Sequence, residues 1–190
     1  MFLEELKRKL EKELGLKVIL EPSHLILKEP HLRVLPEMLQ YVRDTGQGKV
    51  FQESLENDPS RARAGIPVHV SVPLTLVFRV FGANVNNEFL NKCFFWSFKL
   101  EKYFHSPIKI EKEWEDLGEF LICSEALLEV KAEGQGQFFE TQEEEKHTLF
   151  MFESKFKGVL RFVVFEAYEV PKVREITVSD ERGQRISVKA

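Results

Sequence analysis

Residues Val68 to Phe81 alternate so regularly that they leave little freedom in fold class. Val68, Val70, Val72, Leu74, Leu76, Phe78 and Val80 point one way, and His69, Ser71, Pro73, Thr75 and Arg79 point the other. Val77, just before Phe81, is the exception. Apolar residues at period two place one strand face on a core and leave the other partly polar. The run exceeds the usual strand of about 5–6 residues, so it should extend beyond the body of its sheet. Pro73 cannot donate to a ladder, which puts the N-terminal half of the strand at an edge or beside a bulge.

The flanking segments fill out the domain. Leu3, Leu6, Leu10 and Leu14 form one apolar helical stripe, which Gly15 ends as a left-handed cap. A short strand is expected at Lys17–Glu21, with Leu25–Lys28 as its partner. A second helical pattern runs through Leu32, Leu35, Met38, Leu39 and Val42, between Pro30 and Arg43. From Asp44 to Pro67 the sequence reads as a long irregular loop, the kind that orders against a neighbouring molecule. After Pro107 the chain is β-rich. Strands are expected at Ile108–Lys112 and Phe120–Lys131, then a polar excursion at 132–147 carrying Glu143-Glu144-Glu145. A hairpin of Leu149–Phe156 with Val159–Val170 should turn at Lys157-Gly158, and a final small hairpin occupies 172–190. The 190 residues suffice to bury roughly 70% of the unfolded surface without disulfide or metal. The expectation is one α+β domain over 1–190, with a single twisted, mostly antiparallel sheet and helices packed on one side.

The helix following Gly82-Ala83-Asn84 carries the main functional signal. Asn84 is the expected N-cap. Val85, Phe89, Cys93, Trp96, Leu100, Tyr103 and Phe104 form a core-facing stripe. Phe94, Phe95 and Phe98 fall on the far side, where the helix of a monomer should be polar. Phe94 and Phe98 are one turn apart, giving a contiguous aromatic patch that a second molecule would cover. In the loop, Arg61 and Arg63 are expected to anchor a neighbour through bidentate pairs with its carboxylates. The assigned interface residues are therefore Phe94, Phe95, Phe98, Arg61 and Arg63.

Chemistry is harder to find. The 5 histidines have no ligand spacing to another His, Cys or carboxylate. Cys93 and Cys123 sit in apolar runs and read as small buried hydrophobes. The carboxylates around Trp114 (Glu111, Glu113, Glu115 and Asp116) mix faces and read as a solvated loop. No nucleophile elbow, phosphate loop or dinucleotide fingerprint occurs. No catalytic residue, metal or cofactor is assigned. Charged residues interrupt every apolar run short of the about 18 needed to span a bilayer, and the charged first segment does not read as a signal peptide. A net charge of −4 argues against bulk nucleic-acid binding. The alternative function is an RNA- or DNA-binding module using Arg61, Arg63 and Lys49 beside Phe-rich strands.

The order of elements resembles the tail-terminator and tube-cap proteins of bacteriophages and contractile injection systems. The likeness rests on the amphipathic first helix and on Ile66-Pro67-Val68 leading into the long strand. It rests also on Asn84-Val85-Asn86-Asn87 entering the helix Phe89–Phe104, and on the closing strand Val164-Phe165-Glu166-Ala167-Tyr168-Glu169-Val170. That family is non-enzymatic and forms rings, commonly hexameric, that close the end of a tail tube. The resemblance implies a homo-oligomer contacting tail tube or sheath proteins, made in the cytoplasm and ending as part of a virion or tail-like particle.

Overall fold

The computed structural model describes residues 2–20, 27–37, 42–45, 51–54, 61–142, 148–171, 175–179 and 185–189. In chain order the elements are α1 (Phe2–Leu14), β1 (Lys17–Ile19), β2 (His31–Pro36), β3 (Val42–Thr45), β4 (Phe51–Ser54) and β5 (Arg61–Gly82). There follow α2 (Asn87–Phe104), β6 (Ile108–Glu111), β7 (Glu115–Asp116), β8 (Phe120–Ala132), β9 (Gln137–Gln142) and β10 (Thr148–Pro171). A separate two-stranded antiparallel sheet of β11 (Glu175–Ser179) and β12 (Arg185–Lys189) ends the chain.

The large sheet is built on two long antiparallel strands. β5 and β10 pair in unbroken register from Phe150 opposite Gly82 to Pro171 opposite Arg61. The order across the sheet is β1-β2-β5-β10-β8-β6. β3 and β4 add to β5, β9 to β10 and β7 to β8, and the β1–β2 pair alone is parallel among the described strands. The sheet curls strongly into a half-barrel. Leu74, Leu76, Phe78 and Val80 of β5 enter one core with Phe152, Phe156 and Leu160 of β10 and Leu128 and Val130 of β8. These are alternate residues, as the pleat requires.

Helix α1 ties the two ends of the curl. It contacts both β1 and β6, the terminal strands of the sheet path. Near its start the Phe2 ring packs 5.1 Å from Phe162, with the Lys112 ammonium 4.9 Å from the Phe2 centroid. Near its end the Val18 amide donates to Glu11 Oε1 at 3.1 Å. Phe2, Leu6, Leu10 and Leu14 are all buried, and each such side chain contributes about 1.5–3 kcal/mol. Gly15 has φ of 68°, the left-handed conformation that makes glycine the expected cap.

Several sequence-based expectations are corrected. The second helix is strand β2: Leu32 and Val34, two apart, are the buried pair, and β2 is held between β1 and β5. β1 pairs with β2, while Leu25 and Ile26 of the expected partner Leu25–Lys28 lie outside the described residues. The stretch read as a loop from 44 to 67 contains the end of β3, all of β4 and the first part of β5. Arg61-Ala62-Arg63-Ala64 has period two without β-branched residues, so its strand state rests on backbone pairing with β4 and β10. β9 lies inside the expected polar excursion, paired with the start of β10, whereas Glu143, Glu144 and Glu145 fall outside the described residues. The α2 N-cap is Asn86, whose Oδ1 accepts from the Phe89 amide at 2.9 Å.

The turn expected at Lys157-Gly158 is also absent, because β10 runs straight through it. Gly158 pairs with Leu74 on one side and Val130 on the other. A Cβ there would lie 3.0 Å from Leu76 Cδ1 and 3.3 Å from Leu128 Cδ1. Glycine thus marks close packing at the centre of the sheet rather than a change of direction. Gly158→Val should cost about 1–3 kcal/mol by overpacking, read as a lower urea midpoint at unchanged slope. A midpoint equal to or above that of the wild type would show that the position has spare room.

Candidate functional site

Helix α2 is fixed from its inner side. Phe89, Cys93, Leu100 and Phe104 are buried, and Trp96 and Tyr103 are half-buried, while Val85 precedes the helix and is exposed. Trp96 packs 5.8 Å from Phe78, and Phe104 packs 5.3 Å from Phe156. The Lys99 ammonium donates to the Leu14 carbonyl oxygen at 2.8 Å and lies 4.6 Å from the Trp96 centroid. It therefore places a cation at the negative end of α1. Tyr103 Oη donates to Glu13 Oε2 at 2.5 Å. That hydrogen bond, more than Lys9, holds the Glu13 carboxyl below its ordinary value, while burial and the Glu13 bond raise the Tyr103 phenol.

With the inner side fastened, the outer side presents Phe94, Phe95 and Phe98 to water, at 64%, 59% and 75% exposure. The placement expected from the sequence for these three residues is what the structure displays. A groove of about 310 Å³ lies alongside, lined by Cys93, Phe94 and Ser97 of α2 and by Gly136, Phe138 and Phe152. Phe138 is itself 55% exposed, and its ring lies 5.0 Å from Phe152 and 6.3 Å from Phe89. A Cβ on Gly136 would come within 2.1 Å of Phe152 Cζ, so the glycine lets that ring form the groove floor. Burial pushes the Cys93 thiol up to about 11, which keeps it protonated at neutral pH. The surface offers aromatic contact area rather than a nucleophile.

Arg61 and Arg63 are not brought to this surface. Their backbones pair with Pro171 and Glu169 at the far end of β5 from Gly82, the residue that leads towards α2. Their side chains, like Lys49, lie outside the described residues. Cys123 is half-buried rather than a core residue. It sits where the β8–β10 register shifts, accepting from the Val163 amide at 3.4 Å and donating to the Glu125 carbonyl oxygen at 3.0 Å. Among the described residues no group of three or more His, Cys, Asp or Glu side chains is placed to hold a metal ion, and no helix is long and apolar enough to cross a membrane.

The sequence reading missed a polar row with two buried members, His31 and Glu153. His31 is 1% exposed and stacks 5.8 Å from Phe81. Its register neighbour Arg79 donates from Nε to Glu153 Oε2 at 2.8 Å, and Lys155 lies 3.4 Å from the same carboxylate. A glutamate inside the Phe-rich β10 was the available sign of this row. No protein-family model matches the chain, and no curated protein matches it.

His31 Nδ1 donates to the Glu29 carbonyl oxygen at 3.2 Å, and Nε2 has no hydrogen-bond partner among the described residues. Burial first, and then the cations Arg79, Arg33 and Lys17, hold the imidazole below its ordinary value. The unfolded chain therefore binds this proton at a higher pH than the folded one. Stability contributed by neutral His31 is complete above about pH 6.5 and is lost as pH falls from there towards the folded value. Thermal midpoints taken from pH 8 down to pH 5 should fall below about 6.5 in the wild type and stay flatter in His31→Gln. Parallel curves for the two proteins would remove His31 as the cause.

Proposed function

We propose that this chain is a non-enzymatic structural subunit that associates with copies of itself through the outer face of α2. In the fuller form of this reading, the copies make a ring or cap that terminates a phage-type or contractile tail tube and meets tube or sheath proteins there. The fold supplies a strongly curled, mostly antiparallel sheet and two helices, a frame on which such a contact can be held. Assembly would take place in the cytoplasm before incorporation into the particle.

The observation carrying this reading is the exposure of Phe94, Phe95 and Phe98 on a helix whose inner side is already secured. Exposed aromatics clustered on a rigid element have the character of an interface centre. The neighbouring Phe138 and the groove beside Phe94 widen the apolar area. Covering Phe94 and Phe98 contributes on the order of 3–5 kcal/mol per contact. Phe94→Ser with Phe98→Ser should lower the solution mass while leaving circular dichroism nearly unchanged. Unfolding of the double variant would assign the patch to the intramolecular core. A wild-type monomer that shifts on adding an oligonucleotide would favour the nucleic-acid alternative instead.

A further inference from the structure

On the outer face of α2 a ridge and a groove lie side by side. Phe98 stands on the ridge at 75% exposure, the most exposed large apolar side chain among the described residues. It is not part of the groove wall. The groove runs beside Phe94, one turn earlier, and is bounded across from it by Gln135, Gly136 and Phe138, with Phe152 and Phe156 of β10 behind. Those two β10 residues are held by the ladder with β5, and α2 is held by its ties to α1. The cavity is therefore formed before anything enters it, which lowers the cost of filling it.

A volume of about 310 Å³ stands at the lower limit of small-molecule pockets and is on the scale of one aromatic side chain. Exposed Glu101 and Gln135 give the groove a polar rim around its aromatic interior, the anatomy of a protein interface. At roughly 200 Å² per ring, the exposed parts of Phe94, Phe95, Phe98 and Phe138 present about 500 Å² on each copy. Two copies set face to face then bury about 1,000 Å² of aromatic surface, the area at which specific interfaces begin.

We infer that Phe98 of one copy enters the groove beside Phe94 of a second copy, and that Phe98 of the second enters the groove of the first. A ridge and a groove on one surface are complementary to themselves about a two-fold axis lying between them, which is the isologous arrangement. The inference rests on the proposed self-association through α2 and adds which side chain fills which cavity. The contact is complete with two copies, and any larger assembly is built from such pairs through a second, different surface.

Sedimentation equilibrium of the full chain tests this with two variants. Phe98→Ala removes the ridge, and Gln135→Trp fills the groove from an exposed position while leaving every phenylalanine in place. The smallest assembled species of the wild type should hold two chains. An aromatic anchor at an interface centre carries about thirtyfold in affinity, and a two-fold pair loses two of them. Each variant should therefore pair roughly a thousandfold more weakly than the wild type. An equimolar mixture keeps one insertion, Phe98 of the Gln135→Trp chain in the open groove of the Phe98→Ala chain, and should pair about thirtyfold more tightly than either variant alone. Ser97→Trp fills the same groove from α2 and replaces Gln135→Trp if that variant's circular dichroism departs from the wild type. Blocking variants that pair like the wild type, or a mixture no tighter than its components, overturn the insertion. A smallest assembled species of more than two chains overturns the two-fold arrangement. In each of these cases the α2 reading stands if Phe94→Ser with Phe98→Ser dissociates. If that double variant keeps the wild-type mass, or the wild type is monomeric, the reading and the inference both fall.

Discussion

The unbroken ladder between β5 and β10 sets the position of the rest of the large sheet. A one-residue slip would move the β10 side chains to the opposite face relative to β5. Phe152, Phe156 and Leu160 would then leave the core, and Glu153, Lys155 and Lys157 would enter it. The register is consequently enforced by burial on one side and by charge on the other. β2, β3 and β4 add along β5, and β8 and β9 add along β10, so each inherits that register. Gly158 lets this ladder pass through the crowded centre, where Leu76, Leu128 and Val130 converge.

A curled sheet of this kind has two free ends, and α1 addresses both. Its contacts with β1 and β6 span the sheet path, and its C-terminal turn is held by Lys99 and Tyr103 from α2. α2 is thus tied to α1 on one flank and to Phe78 and Phe156 below. Its orientation follows from contacts that use only its inner residues. Phe94 and Phe98 take no part in that fastening, whereas Phe95 meets Trp96 edge-on at 5.5 Å and lies 5.8 Å from the Lys99 ammonium.

What the sequence revealed divides along physical lines. The α1 stripe, the core of β5 and the two faces of α2 were legible because burial on one side leaves a periodic mark. β2 was misread because Leu32, Leu35, Met38, Leu39 and Val42 fit helical spacing, whereas the buried residues are His31, Leu32 and Val34. Lys157-Gly158 has the composition of a turn, and nothing local distinguishes it from a glycine packed under leucines of other strands. The N-terminal part of β5 was missed for the opposite reason: its state comes from backbone partners and not from its own side chains. At the site, Phe94, Phe95 and Phe98 were readable from one helix. The groove was not, since Gly136, Phe138 and Phe152 arrive from the β8–β9 connection, β9 and β10.

The exposure of the α2 aromatics cannot be attributed to the needs of folding. Folding places Phe89, Cys93, Leu100 and Phe104 inside, and that set already gives the helix a buried stripe and two polar ties to α1. Polar residues at positions 94 and 98 would leave every one of those contacts intact. They would also remove an exposed patch that invites non-specific association. Phenylalanines held away from their own core, on a helix fastened by other residues, supply the apolar area on which the proposed self-association rests.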